Sequence, residues 1–129
     1  MNYKRVLLTI VSVLVLLLSY LEFVKPKLVV KYLTSNKSFI NSHYDNNQIR
    51  DYCHKVLKYK WNNPYEALLL LQGVGDQSSI PFLLDVLKNC SGEDGLYDHN
   101  QVICVDILKR ITKQNDRGYD FKDWADLNS

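Results

Sequence analysis

The chain has 129 residues, 47% of them hydrophobic, and a formal net charge of +2, which leaves room for one small domain. Its three cysteines, Cys53, Cys90 and Cys104, make no C-x-x-C pair and leave one thiol over in any pairing, so no paired-cysteine metal or redox motif is written here.

The first segment stands apart. Residues 6–21, VLLTIVSVLVLLLSYL, carry no charge, and the apolar character runs on to Val24, broken only by Glu22. As a helix, Val6 to Val24 measures about 28 Å at about 1.5 Å per residue, close to the ~30 Å hydrocarbon core of a bilayer. Lys4 and Arg5 supply the charged start of a signal peptide or an anchor. Neither an A-x-A-like site nor a cysteine follows the run. The expectation is an uncleaved single-span anchor; a cleaved signal would make the protein secreted. A buried core helix is the third reading, and the rest of the chain is too short to cover such a helix on every side.

Beyond the span the charge is polarised. Residues 25–60 hold eight Lys/Arg against Asp45 and Asp51, whereas residues 61–129 hold six against eleven Asp/Glu. Lys25, Lys27, Lys31 and Lys37 sit where anionic head groups attract cations. They also count toward a cytoplasmic domain by the positive-inside rule, against the signal-like start, which points outward. The extracytoplasmic side is taken as the expectation. Residues 1–33 thus read as an anchor or signal with a basic flank, 34–48 (TSNKSFINSHYDNNQ) as a polar tether, and 49–129 as the folded domain.

Within that domain the apolar spacing is helical. Ile49, Tyr52, Cys53, Val56 and Leu57 make one face. Asn63, Pro64 and Glu66 fit a capping box at the start of a second helix, which stops at Gly73 or Gly75 in the left-handed conformation that glycine accepts. Asp76 or Ser79 caps a third helix with Pro81 early in it and Ile80, Leu83, Leu84 and Leu87 facing inward. A polar loop, Asn89 to Asp98, precedes a fourth helix over about 99–114 with Ile103, Cys104, Ile107, Leu108 and Ile111 on its stripe. Asp120 caps a short last helix anchored by Phe121 and Trp124. No segment alternates with period two over a useful length, so the domain reads as all-α. The β-branched run VICVDI is the one stretch that also fits a buried strand.

A shift of 37 residues lays Ala67 on Cys104, Leu70 on Ile107, Leu71 on Leu108, Val74 on Ile111, Leu84 on Phe121 and Leu87 on Trp124. A helix pair repeating at this interval points to a short α-solenoid, in which each hairpin needs a neighbour to bury its inner face. ALLLLQGVGDQSSIPFLLDVLK, residues 67–88, resembles a HEAT repeat of the short type also found in phycobilisome lyases. There a leucine-rich helix is followed by G-D and by an Ile-Pro pair that opens the next helix. LKRITKQNDRGYDFKDW resembles the closing repeat of many bacterial HEAT-repeat proteins in Ile111-Thr112, Gly118-Tyr119-Asp120 and Trp124. It departs at Lys113, where that pattern carries Gly, and at Leu127, where it carries a second Trp. The resemblance covers about residues 62–127 and implies a solenoid that binds another protein.

The residues that invite chemistry are weaker. His43 falls in the tether, His54 follows Cys53 and so points about 100° away from it on a helix, and His99 sits beside a capping aspartate. GVGD lacks the strand and the Gly-Lys-Ser/Thr of a phosphate loop. Cys104 fits a core filler, and nothing basic is placed to activate Cys90. A Cys90–Cys104 bridge stays open for an exported domain. The acidic residues Glu93, Asp94, Asp98, Asp116, Asp120, Asp123 and Asp126 suit a solvated surface or a basic partner, and the net negative domain disfavours nucleic acid.

No catalytic, cofactor-binding or metal-binding residue is therefore assigned. The expected function is a membrane-anchored module that binds another protein, without catalysis and with no cofactor. The alternatives are an immunity-type protein that neutralises a toxin at the membrane and a chromophore-lyase-like factor.

Overall fold

The computed structural model describes residues 2–35, 43–90 and 98–128, and over these the chain is helical with no strand. The elements are α1 (Tyr3–Ser19), a π-helical turn (Tyr20–Val24), α2 (Lys25–Ser35), α3 (Asn46–Lys58), α4 (Tyr65–Val74), a 3-10 turn (Gln77–Ser79), α5 (Ile80–Asn89), α6 (His99–Thr112) and two closing 3-10 turns (Phe121–Asp123 and Ala125–Asn128). VICVDI lies inside α6, so the strand alternative falls away.

From Tyr3 to Ser35 the backbone is one continuous helix of 33 residues, long and apolar enough to cross a membrane. Its first part buries no residue. At Tyr20 the register widens, and Lys25 N–H bonds to Tyr20 O, five residues back. Pro26 follows directly. It has no N–H to give to the carbonyl of Glu22 four residues earlier, so a change of register falls where the ordinary ladder would break anyway.

Past Pro26 the same helix enters the domain. Pro26, Val29, Val30 and Leu33 are buried, packed against α3 and α4. Burial of each aliphatic side chain contributes about 1.5–3 kcal/mol before ordering costs. This corrects the division drawn from sequence, in which residues 1–33 stood outside the domain and 34–48 tethered it. The lysines at 25, 27 and 31 hide an apolar face at positions 29, 30 and 33. At the other end of the expected tether, Asp45 already caps α3 and forms a reciprocal box with Gln48. Residues 36–42, with Lys37 of the basic flank, and residues 91–97 lie outside the described part.

Backbone contacts pair α3 with α4 and α5 with α6, while α4 lies on α6 and α3 on α5. The sequence expectation takes α4 and α5 as one hairpin; the packed hairpins are one helix out of that frame. The core runs through all of them: Leu33, Ile49, Leu68, Leu71, Leu83, Leu87, Ile107 and Leu108 are almost wholly buried.

The link between the hairpins, residues 71–79, is held by two arginines that the periodicity leaves unremarked. Arg50 Nε donates to Val74 O at 2.7 Å, and its guanidinium pairs with Asp76 at 3.2 Å. Arg110 Nη2 donates to Leu71 O at 3.1 Å and to Gly75 O at 2.9 Å. Arg50 thus serves the Val74 carbonyl, one of those that a helix C-terminus leaves without a partner, while Arg110 serves Gly75 O and adds a second bond to Leu71 O, which already accepts Gly75 N–H. Gly75 ends α4 with φ −64° and ψ 144°, not in the left-handed region expected for it. Glycine is required there for room: a Cβ would lie 2.7 Å from Leu71 O and 3.4 Å from the Arg110 guanidinium. Asn63 caps α4 by accepting Tyr65 N–H at 3.1 Å, and no bond to Glu66 completes the expected box. Asp76 does cap, in a reciprocal box with Ser79.

The left-handed residue is Lys113 instead, at φ 58° just past α6. Beyond it the expected short last helix takes the form of two 3-10 turns. Asp120 begins them in a reciprocal box with Asp123. Trp124 is 0% exposed and its indole N–H donates to Gly118 O at 2.8 Å. Arg117 covers the ring at 5.2 Å and pairs with Asp126.

Two measurements test this packing. A Cβ added to Gly73, inside α4, would meet no atom within 4 Å, so Gly73→Ala should stabilise by about 0.5–1 kcal/mol. Gly75→Ala should instead cost about 1–3 kcal/mol through overpacking. Equal shifts in urea midpoint would contradict the close approach at Gly75. Trp124→Ala should cost about 3–5 kcal/mol, and a loss below about 1 kcal/mol would deny the indole its place in the core.

Candidate functional site

The most elaborate polar arrangement among the described residues surrounds the C-terminal end of the long apolar stretch. Glu22, the one acid in that stretch, accepts a hydrogen bond from Tyr59 Oη at 2.8 Å and one from Lys58 Nζ at 3.3 Å. Lys55 Nζ stands 3.8 Å from its other oxygen. These partners come from the last turn of α3 and the residue that ends it. The capping aspartate at position 45 starts α3 far from this end, so the lysines fall on the helix terminus where cations are favoured. One carboxylate thus answers both the lysines and the tyrosine.

Aromatic rings continue the junction. Phe23 lies 4.8 Å from Tyr59 and 6.1 Å from Trp61, and Tyr59 stacks on Trp61 at 4.7 Å between ring centres. Lys58 reaches over the Tyr59 ring at 5.5 Å. Trp61 is nevertheless 71% exposed. The α3–α4 turn therefore sets an indole and a phenol around the end of the apolar helix, with Lys60 exposed between them. Periodicity alone does not find this group, because its members lie on two elements joined only in the fold. The signals were Glu22 in an uncharged run, Pro26 four residues on, and the sequence YKW at 59–61.

The residues that the sequence offers for chemistry are dispersed. Among the described residues no three His, Cys, Asp or Glu side chains come together in a way that would hold a metal ion. His43 lies exposed beside α2. His99 stands 5.6 Å from the Tyr65 ring. His54 is buried, with Nε2 2.7 Å from Ser79 Oγ and its ring stacked on Phe82 at 4.3 Å. Ser79 is itself fully buried and also accepts Asp76 N–H at 3.3 Å, so this pair ties α3 to the start of α5.

Cys53, Cys90 and Cys104 are all free thiols, and the Cys90–Cys104 bridge left open by the sequence is not formed. Burial pushes the Cys53 thiol up to about 12. Burial, and then the nearby Asp98 charge, pushes Cys90 up to about 11. Burial also raises Cys104, whose sulfur donates to Leu83 O at 3.0 Å. None is poised as a thiolate. Of the acidic residues, Asp98, Asp120 and Asp123 serve helix and turn starts and Asp126 pairs with Arg117. Glu93 and Asp94 lie outside the described residues.

Comparison with protein-family models, with curated proteins and with solved structures finds no match to this chain.

His54 generates a pH prediction. Burial, the largest influence, lowers its pKa below the ordinary value, against the opposing charges of Asp51 and Asp76. A histidine that binds its proton more weakly folded than unfolded costs stability only where the unfolded chain is protonated. Stability should hold above about pH 6.5 and fall below it. In detergent, the difference in urea midpoint between the native chain and His54→Gln should therefore move against the native chain as the pH drops below about 6.5. A difference independent of pH would show that the imidazole titrates as freely folded as unfolded.

Proposed function

We propose that this chain is a single-span, membrane-anchored helical module that binds another protein and holds it at a fixed height above the bilayer. The observation that carries the reading is the continuity of the helix from Tyr3 to Ser35, uncovered at its start and buried in the domain core at its end. A module joined to its anchor by one helix, and fastened at Glu22, has little freedom to swing. Trp61 and Tyr59 suit the level of the bilayer interface, where amphipathic rings gather.

The reading takes the domain as a short HEAT-like solenoid. Support comes from the stacking of α3–α4 on α5–α6, with α4 over α6 and α3 over α5. It comes also from Lys113, left-handed at the position where the closing HEAT pattern carries Gly. Trp124 covers the open end of the core, the task of a terminal repeat. Solenoids of this kind present ridged faces to partner proteins; that step is architectural analogy.

The test is site-specific photo-crosslinking in native membranes followed by mass spectrometry. Photoreactive residues replace exposed Gln72 and Asp106 on the α4–α6 layer and Lys88 on α5. The expected result is one recurrent protein partner reached from one of the two layers, with modification by an impermeant reagent reporting the side. Crosslinks to lipid alone from every position would overturn the reading.

A further inference from the structure

Two clefts meet at the junction of α2 with the α3–α4 turn. One, of about 550 Å³, is lined by Lys27, Lys31, Leu28, Trp61, Tyr65 and Glu66 among others. The other, of about 320 Å³, is lined by Phe23, Val24, Lys27, Leu28 and Trp61. They share Lys27, Leu28 and Trp61, so they form one furrow with an apolar end toward residue 23 and a basic end toward residue 31. Neither Lys27 nor Lys31 has an ion pair among the described residues, in contrast to Lys55 and Lys58, which Glu22 occupies.

We propose that this furrow binds one phospholipid with an anionic head group, from the leaflet in which the apolar helix ends. The inference rests on the proposed span over residues 6–24. Depth argues for it. If the hydrocarbon ends at Val24, Lys27 lies about 4.5 Å further out and Lys31 about 10 Å. The head-group layer is about 5–8 Å thick on each side of the hydrocarbon. Lys27 therefore stands at phosphate level, and Lys31 reaches it by turning its flexible stem back toward the bilayer. Phe23 and Val24 lie at the depth of the upper acyl chain, and Leu28, about 6 Å beyond Val24, lines the furrow at head-group level. Trp61, largely exposed to water in the isolated chain, gains the interface that an indole favours.

Charge and shape agree on the occupant. A soluble anion would use the two lysines and leave the apolar end empty; a zwitterionic lipid would fill the apolar end and place its cationic group beside them. Glu66 on the wall opposes an anion, and so its charge sets a limit on the preference rather than creating it.

The experiment uses the full chain in lipid nanodiscs of phosphatidylcholine with and without phosphatidylglycerol. Native mass spectrometry after release reads which lipid is retained. The native chain should retain phosphatidylglycerol preferentially. Lys27→Gln and Lys31→Gln should each lower the preference roughly five-fold, and both together roughly 25-fold. Glu66→Gln should raise it. Trp61 emission should be quenched by lipid brominated near the head of the acyl chain, with buried Trp124 as the unquenched internal reference.

Retention of phosphatidylglycerol that survives loss of both lysines, or that soluble glycerol phosphate displaces, would overturn the site while leaving the anchor standing. Extraction of the chain from membranes by alkaline carbonate would instead defeat the span, and the furrow with it.

Discussion

One helix carries two different surfaces, uncovered at its start and packed into the domain at its end, and the rest of the structure follows from how it joins them. Over α1 it carries no charge after Arg5 and buries nothing against protein. Over α2 it is amphipathic, with lysines outward and Pro26, Val29, Val30 and Leu33 inward. An isolated helix the length of α2 would be marginal in water. Here it is held by packing on α3 and α4, and its upstream continuation inherits that orientation. The π-helical turn sits at the border between the two regimes, next to the proline that breaks the regular hydrogen-bond ladder. The bond that Pro26 cannot make is accommodated there without interrupting the helix.

The hairpins are joined by a second constraint of different character. A glycine-containing corner brings the end of α4 close to α6, and two arginines from α3 and α6 donate to the carbonyls of Val74 and Gly75. Arg50 and Arg110 stand on different helices, so the corner can be satisfied only when the stack is assembled. Free carbonyls at a half-buried helix end carry a penalty comparable to a lost hydrogen bond. The polar network thereby reports correct stacking, while the leucine-rich core supplies most of the driving force.

Much of this was legible in the sequence, and the misses have physical causes. The stripes of α3, α5 and α6 and the long apolar helix follow from spacing alone. Asp76, Asp98 and Asp120 read correctly as caps because an aspartate cap is a local event. Gly75 did not read correctly: glycine serves both left-handed corners and close approaches, and only the neighbouring backbone tells which. Lys113 adopts the left-handed conformation against its type, which no propensity announces. The hairpin frame was displaced by one helix because a repeat interval records which helices are equivalent, not which pack together. The junction at Glu22 was missed for a further reason. Its partners, Lys55, Lys58 and Tyr59, are more than thirty residues away, so no local pattern names them as partners.

One local pattern does point to that junction. Glu22, Pro26, Val29, Val30 and Leu33 fall at i, i+4, i+7, i+8 and i+11, the spacing of a single helix face. The face that enters the core therefore begins inside the apolar stretch, and its first member is charged. A carboxylate there is costly unless paired, and α3 meets it with two lysines and a phenol. Those lysines also stand at the negative end of the α3 dipole, so the same charges serve both helices. A slip of one residue along the helix would turn Glu22 by about 100° away from Tyr59. The contact consequently specifies rotation as well as height. In the proposed membrane arrangement, the bilayer sets the depth of the span, Glu22 sets its rotation, and together they decide which face of the helical stack is turned toward a partner.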